Sequence, residues 1–469
     1  MSSLRPSRKT FRIRLNEMVS QLRGEILAGR RKPGEFLPPE TDLARTFGLS
    51  RNSVRNGLDT LIREGLIEKV PKVGNRVLKP SGGQPSTIRF GYYPTMLNET
   101  ILHELVEAFC REHPDIRVHL VPIHYYTFVE AVPGYFRDGL LDVVTVNYNN
   151  FRQWLDHGYG HMFEPLPPNG ELYPFLSQAF RQDGAQLVQP FVASPVILCY
   201  NKDHFLERGL PEPDSSWTWD DLIRHAAAVS EGTDRYGIFF HLVSEHRWPI
   251  FLLQSGMRFQ RNEAGEYNFS DDRLWEGLEL SKKLIHNRNN RHIFLSDRDS
   301  DTELLFLQEK VSIIITTYYG LNTIASAKFR FDVAPLPSFR LAKTMMTAIG
   351  LAVNRESKSK EAALKLVQYL TSHEAQLEIR RNTLTIPSHK QAAEWQGKET
   401  MYRPSRFFMY REIAPTFAYI SDLGLKLDEL VRLKDELKLY WSNLETREQL
   451  EERLRHLFAP ESRRFHPLP

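Results

Sequence analysis

The chain has 469 residues, of which 41% are hydrophobic and 25% charged, with a formal net charge of +3. That length exceeds one ordinary domain of roughly 100–200 residues, and the composition is that of a globular protein rather than a disordered or membrane-embedded one. No apolar run reaches the ~20 residues of a membrane helix, and the start, MSSLRPSRKTFRIRL, lacks the apolar stretch of a secretory signal. The two cysteines, Cys110 and Cys199, stand far apart in apolar segments, which excludes a CxxC metal or redox motif. The expectation is a cytoplasmic protein with no membrane association, no cofactor and both thiols in its core.

Charge is distributed unevenly. Residues 1–80 hold 17 Lys and Arg against 8 Asp and Glu, whereas the remainder holds 44 against 50. A basic end on a slightly acidic body points to a polyanionic partner for that end.

Taken in chain order, Leu15, Val19, Leu22 and Ile26 recur at helical spacing and predict a first helix over Arg12–Ala28, ended by Gly29. After a Pro33-Gly34 turn, Pro38-Pro39 opens a short helix, Glu40–Phe47, with Leu43, Ala44 and Phe47 on one face. Gly48-Leu49 turns the chain, and Ser50 is a suitable N-cap for a third helix. There Val54, Leu58, Leu61 and Ile62 face inward, while Arg51, Asn52 and Arg55 face outward on the first turns. Two short β segments, Leu66–Val70 and Arg76–Lys79, flank Pro71–Asn75 as a hairpin with a basic tip. Helix, helix, turn, helix and hairpin make an α+β winged helix-turn-helix, whose recognition helix enters the major groove of double-stranded DNA. Arginines at i and i+4 can reach guanine edges or phosphates from one face.

The stretch PGEFLPPETDLARTFGLSRNSVRNGLDTLIREGLIEKVPKVGNRV resembles the GntR-family DNA-binding domain. It carries the PG turn, the LP-x-E element, SR-x-(T/S)-VR, the EGL triplet and a glycine-containing wing. The resemblance implies that Arg51 and Arg55 contact bases or phosphates and that Asn52 and Ser53 support them. It also implies that Gly74 lets the wing approach DNA, with Lys72 and Asn75 beside it. Two departures stand out: Thr41 occupies a position that is often basic, and Gly57 replaces an alanine within the helix, costing ~1 kcal/mol of propensity. The domain is expected to span residues 1–79, followed by a Gly, Pro and Ser linker over 80–86.

From Thr87 strands alternate with helices: IRFGYY, a helix ILHELVEAFCREHP, then IRVHLVPI and DVVTVNY. That alternation predicts a parallel sheet with helices on its faces, with ligands beyond the carboxyl ends of the strands. Those ends hold Tyr92, Tyr93, Ile123, His124, Tyr125, Asn147 and Tyr148.

Further along, ASPVILCYNKDHFLERGLPEPDSSWTWDDL, WPIFLLQSG, FLQEKVSIIITTYYG, FDVAPLPS, IGLAVNRESKSKEAALKLVQYLTSHEAQ and TIPS together resemble extracellular solute-binding proteins, most like the carbohydrate branch. The resemblance covers nearly all of residues 87–469 and implies a two-lobed α/β type II periplasmic-binding-protein-like fold in a multi-domain chain. One lobe would comprise about 87–192 and 346–388, and the other about 196–340 and 395–460. The chain would cross the hinge near Ser194-Pro195-Val196 and again near Met345–Ile349. By the same resemblance the ligand positions are Tyr93, Asn147, Tyr148, Trp248, Tyr318 and Tyr319, with Tyr125 added from the strand ends. Trp217 and Trp219, at a helix start, are assigned to capping and packing.

A DNA-binding module standing where an export signal would begin departs from the solute-binding family. It implies a ligand sensor: a transcriptional regulator, by family habit a repressor, controlled by a small molecule leaning to a sugar. The alternative is a transport-coupled solute-binding protein that carries a basic extension, which predicts membrane or extracellular association; a pyridoxal-phosphate enzyme fusion would need a Schiff-base lysine in a Ser-x-x-Lys setting, which Lys202, Lys310 and Lys343 lack. The charged helical stretch Leu423–Leu457 reads as a closing helix of the second lobe or as a dimerisation surface. A homodimer is expected, because helix-turn-helix dimers bind palindromic sites.

Overall fold

The computed structural model describes residues 8–27, 30–71, 73–78, 86–286, 298–399 and 401–460. Ala28, Gly29, Lys72 and linker residues 80–85 lie outside them. The chain divides into two compact units, residues 1–87 with 113–117 and residues 88–112 with 118–469.

In the first unit, α1 (Arg8–Leu27), α2 (Glu40–Phe47) and α3 (Arg51–Arg63) precede a hairpin of β1 (Ile67–Val70) and β2 (Gly74–Val77). Met18, Leu22, Ile26, Leu43, Val54, Leu58, Leu61, Ile67 and Val77 form one buried cluster, each side chain contributing about 1.5–3 kcal/mol by leaving water. The turn between α2 and α3 relies on Gly48 at φ 62°, the left-handed conformation that closes helices. The Ser50 hydroxyl then caps α3 by accepting from the Ser53 N–H at 3.2 Å. Gly57, read from sequence only as a propensity cost, lies where α1 packs on α3. A Cβ there would sit 2.5 Å from the Met18 methyl and about 3 Å from Leu15 and Val19.

The wing differs from expectation. Its register runs from Ile67↔Val77 to Val70↔Gly74, so β2 begins at Gly74 and not at Arg76. Its outer edge is covered by the Pro33-Gly34 segment: the Gly34 N–H donates to Val77 O at 2.8 Å, the Val77 N–H to Glu35 O at 2.8 Å, and the Leu37 N–H to Asn75 O at 2.9 Å. A strand edge left with open backbone groups recruits partners distant in sequence, and local patterning does not record which ones.

The second unit starts with β3 (Ser86–Tyr92), α4 (Met96–Thr100), α5 (Leu102–Glu112), β4 (Ile116–Pro122), α6 (Phe128–Arg137), β5 (Val143–Asn147) and α7 (Tyr148–Asp156). Cys110, expected in the core, is only half-buried on α5, whereas Cys199 is buried. Among the described residues a ten-stranded sheet runs through the unit, and β3 and β5 pair in parallel. Its spine is a 13-residue strand, Gln189–Asn201, buried at every position. Up to Pro195 this central strand pairs with the return strand Thr344–Val353, which itself pairs with β5. From Val196 onward it pairs instead with Val311–Thr317 and Phe331–Ala334. The exchange of partners falls at Ser194-Pro195-Val196, the point where the sequence places the first hinge crossing.

At the end of Val311–Thr317, the Thr317 side chain caps the helix Tyr318–Ile324 by accepting from the Gly320 N–H at 3.3 Å. Beneath it the Thr316 hydroxyl donates to buried Glu303 at 2.6 Å. A Cβ on Gly320 would collide with both of these oxygens. Gly320→Ala is therefore expected to lower stability by about 1–3 kcal/mol, as overpacking does, read as a reduced urea midpoint at unchanged slope; an unchanged midpoint would contradict this packing.

Candidate functional site

In the first unit the outward face of α3 presents Arg51 and Asn52, both exposed. Arg55 is also exposed, with Nε 2.8 Å from Glu40 Oε2. A surface ion pair of this kind contributes about 0–1 kcal/mol, so it orients the guanidinium while leaving it able to meet a phosphate. Ser53 is placed differently from the expected face. It is buried at the first turn, its hydroxyl 2.6 Å from that of Ser50, and it serves the cap. Asn75 is likewise buried within the wing. Gly74 adopts φ 145°, Val73 is exposed beside it, and the candidate Lys72 lies outside the described residues. Arg45, on α2 and not singled out from the sequence, is 82% exposed and adds a cation to this unit's surface.

In the second unit the strand-end residues gather where the two halves of the sheet meet. The Tyr93 N–H donates to Thr145 Oγ1 at 3.1 Å, and the Tyr93 hydroxyl oxygen accepts from the Asn147 N–H at 3.3 Å and Asn150 Nδ2 at 2.9 Å. Burial pushes that phenol's pKa upward. Asn147 caps α7, accepting from the Asn150 N–H at 2.8 Å. The Tyr148 ring lies 4.3 Å from that of Tyr419, with its hydroxyl 2.7 Å from Ser421 Oγ. Tyr125 donates to Glu245 Oε2 at 3.3 Å. The Tyr319 N–H donates to Ser194 Oγ at 3.1 Å, fixing it to the central strand at the partner exchange.

Two candidates do not join this group. Tyr318 is fully buried and donates its hydroxyl to Phe407 O at 2.8 Å. One step along a helix turns a side chain by about 100°, which separates it from Tyr319. Trp248 is 1% exposed and packs edge-on against Trp441, ring centroids 6.0 Å apart. The stretch from Leu423 forms two helices, Leu427–Trp441 and Arg447–Leu457, the first of which supplies that Trp441. Trp217 stacks on His225 at 4.5 Å, and Trp219 Nε1 donates to Gln254 Oε1 at 2.7 Å.

Sequence reasoning missed Glu99 and Tyr419. Glu99 lies on α4, just past the end of β3, and α4 packs against the helix Tyr318–Ile324. Tyr419 is brought in by the parallel pairing of Phe417–Ala418 with Thr344–Met345. Glu99 Oε2, the Tyr319 hydroxyl and the Tyr419 hydroxyl are sealed from solvent and find no hydrogen-bond partner among the described residues. Burial raises the Glu99 pKa to about 7 against a weaker hydrogen bond from Thr95. It also raises Tyr319, with the charges of Glu99 and Tyr419 adding to the effect. No His, Cys, Asp and Glu cluster suited to a metal occurs among the described residues.

A winged helix and two sheet halves hinged on one strand, with polar groups gathered between them, define a DNA-binding module joined to a two-lobed solute-binding fold. The family model for bacterial extracellular solute-binding proteins matches residues 93–377, and that for bacterial regulatory proteins of the gntR family matches residues 15–77. The chain belongs to the bacterial extracellular solute-binding protein family and carries a GntR-family helix-turn-helix ahead of that domain.

Maltose-bound MalE3 of T. maritima shares the fold at a TM-score of 0.69 and 18% identity, covering 80% of this chain and 99% of that one. A binding protein of Brucella abortus is 25% identical over 219 residues, 45% of this chain and 53% of its own length. The arabinose metabolism transcriptional repressor of Geobacillus stearothermophilus is 35% identical over 93 residues, 20% of this chain and 26% of its own. The chain thus spans about half the length of the Brucella relative and a quarter of the repressor.

Glu303, like Glu99, is raised to about 7 by burial, with a smaller push from Asp299 opposed by Thr316 and Arg247. Both folded values exceed the ordinary 4.5. The folded chain therefore holds these protons more tightly than the unfolded chain, and the resulting stability is lost as pH rises through about 7. The unfolding midpoint is expected to fall between pH 5 and pH 8 and to fall less in Glu99→Gln and Glu303→Gln. Parallel pH profiles in wild type and both variants would contradict these assignments.

Proposed function

We propose that this protein is a sequence-specific transcriptional regulator, acting in the cytoplasm as a homodimeric repressor whose hold on its operator is set by a small ligand bound between the lobes. The observation that carries the reading is the union, on one chain, of a recognition helix presenting Arg51 and Arg55 with a hinged fold holding buried, unpartnered polar groups. Maltose in a structural neighbour and arabinose metabolism in the name of a DNA-binding relative support a carbohydrate ligand and repression. The ligand acts through its preference for one lobe arrangement over another, and it can shift operator binding by no more than that difference in affinity. Two copies of the recognition helix would read the two halves of a palindromic site.

The test begins with an operator selected from random duplex DNA by the purified wild-type protein. Arg51→Ala with Arg55→Ala is expected to abolish specific binding, each base-reading arginine being worth about 1–3 kcal/mol. Ligand-induced thermal stabilisation should persist in the same variant. Specific binding retained in the double variant would remove α3 as the recognition helix. A sugar hit that leaves operator affinity unchanged would remove the coupling.

A further inference from the structure

Side-chain contacts between the two halves of the second unit differ in kind, and two of them show the contrast. The first lies in the segment 402–406. The Tyr402 hydroxyl donates to Phe331 O at 2.6 Å, and Asp332 accepts from the Ser405 hydroxyl and from the Arg406 N–H, the latter at 3.0 Å. Between them Arg403 Nη2 donates to Arg380 O at 2.7 Å and to Thr383 O at 3.1 Å. Phe331 and Asp332 lie on a strand paired with the central strand beyond Val196. Arg380 and Thr383 end the helix His373–Asn382, which packs on Ile386–Pro387, paired with the central strand before Pro195. Both halves thus grip one stretch of chain. The Asp332 and Arg403 side chains are buried, and parting buried charges from their partners is strongly unfavourable.

The second contact is open to water. α7 rests on β5 and the return strand. Near its end Gln153 Nε2 donates to Asp428 Oδ1 at 2.6 Å, and His157 Nε2 lies 3.2 Å from Asp428 Oδ2. Asp428 stands in the first turn of the helix Leu427–Trp441, which is built into the other half: Trp441 Nε1 donates to Ser281 Oγ at 2.9 Å, and Glu429 accepts from Arg261 at 2.7 Å and Tyr267 at 3.0 Å. The helix bearing Ser281 packs on Pro249–Ser255, whose Gln254 accepts from Trp219; the helix Trp219–Ser230 packs on the strand Tyr236–Phe239, which pairs with Val311–Thr317. Adjacent carboxylates therefore face opposite halves. Glu429 is 13% exposed and anchored within its own half, whereas Asp428 and His157 are 47% and 38% exposed. Exposed bonds of this kind exchange readily for water. The contact is also remote from the strand-end group and its Tyr148 to Ser421 crossing: at ~1.5 Å per residue, His157 lies about 13 Å along the helix from Tyr148.

We propose that Asp428 is the catch of a latch: the halves part where Gln153 and His157 meet it, while the segment 402–406 and the central strand stay joined as the pivot. This rests on the ligand-controlled reading above and adds its ligand-free setting, since a latch that favours one arrangement fixes the equilibrium on which any effector must act. Gln153, His157 and Asp428 are positioning residues, acting through the placement of the halves.

The test is a pulsed electron paramagnetic resonance distance measurement on the full-length, ligand-free protein. Spin labels are placed at Leu140→Cys and Leu439→Cys, exposed leucines on either half, in a Cys110→Ser background that leaves only the buried Cys199. The parent is expected to give one main distance. Asp428→Ala should raise the share of a longer distance about three- to tenfold, the scale of exposed hydrogen bonds to a carboxylate. Asp428→Asn, which keeps an oxygen for Gln153 and loses the charge, should fall between. Gln153→Ala removes one donor without touching the helix Leu427–Trp441 and should also lengthen the distance, so the latch stays testable if Asp428→Ala does not fold. Tyr267→Phe, which loosens Glu429 within its own half, should change nothing.

Identical distances in the parent and the Asp428 and Gln153 variants would overturn the latch, and so would equal lengthening in Tyr267→Phe, which would report a loosened helix. Ligand-free affinity for the selected operator, measured on the unlabelled variants, separates the two readings. A longer distance with unchanged operator affinity keeps the latch and removes its link to DNA binding, whereas altered operator affinity at unchanged distance keeps the regulator and sinks the latch.

Discussion

The central strand Gln189–Asn201 is the constraint on which the second unit depends. All thirteen of its residues are buried, so it has no solvent face and must be hydrogen-bonded along both edges for its whole length. It meets that demand with different partners on either side of Val196. A single continuous backbone thereby belongs to two sheet halves. The groups that end near the exchange are tied to this framework: Tyr319 by its N–H to the Ser194 side chain, Tyr419 by the pairing of the preceding Phe417–Ala418 with the return strand, and Asn147 by the pairing of β5 with that strand.

The polar chemistry of the meeting point divides into two kinds. Tyr93, Asn147, Asn150 and Tyr148 satisfy one another or Ser421 and build rigid corners. Glu99, Tyr319 and Tyr419 keep one unpartnered atom each. The first unit follows the same economy. Ser50, Ser53 and Asn75 are consumed by the cap and the wing, while Arg51, Asn52 and Arg55 stand exposed, the last beside Glu40.

Much of this architecture was legible in the residues. The spacing of Leu22, Ile26, Val54, Leu58 and Leu61 set the helices of the winged helix, and Ser50 and Gly48 marked the turn between two of them, since caps and apolar periodicity act over a few residues. Strand ends gave Tyr93, Asn147 and Tyr148, because parallel α/β sheets place their binding edges there. The motif at Tyr318–Tyr319 marked the turn but could not say which tyrosine enters the core; the rotation of about 100° between neighbouring helical residues decided it.

What the sequence by itself determined, then, was set by local patterning: the three helices of the winged helix, the Ser50 cap, the basic outward face of α3 and the alternation of strands and helices that opens the second unit. Tertiary structure alone decided the rest. It paired residues 34–37 with the wing, pressed α1 onto Gly57, sent Trp248 into the core against Trp441 and brought Tyr419 to Tyr148 across some 270 positions. The reason is physical. Backbone preferences and amphipathic periodicity are summed over neighbouring residues and can be read along the chain. Whether a buried polar atom finds a partner depends on which distant segments share its space, and that is settled only when the sheet closes around its spine.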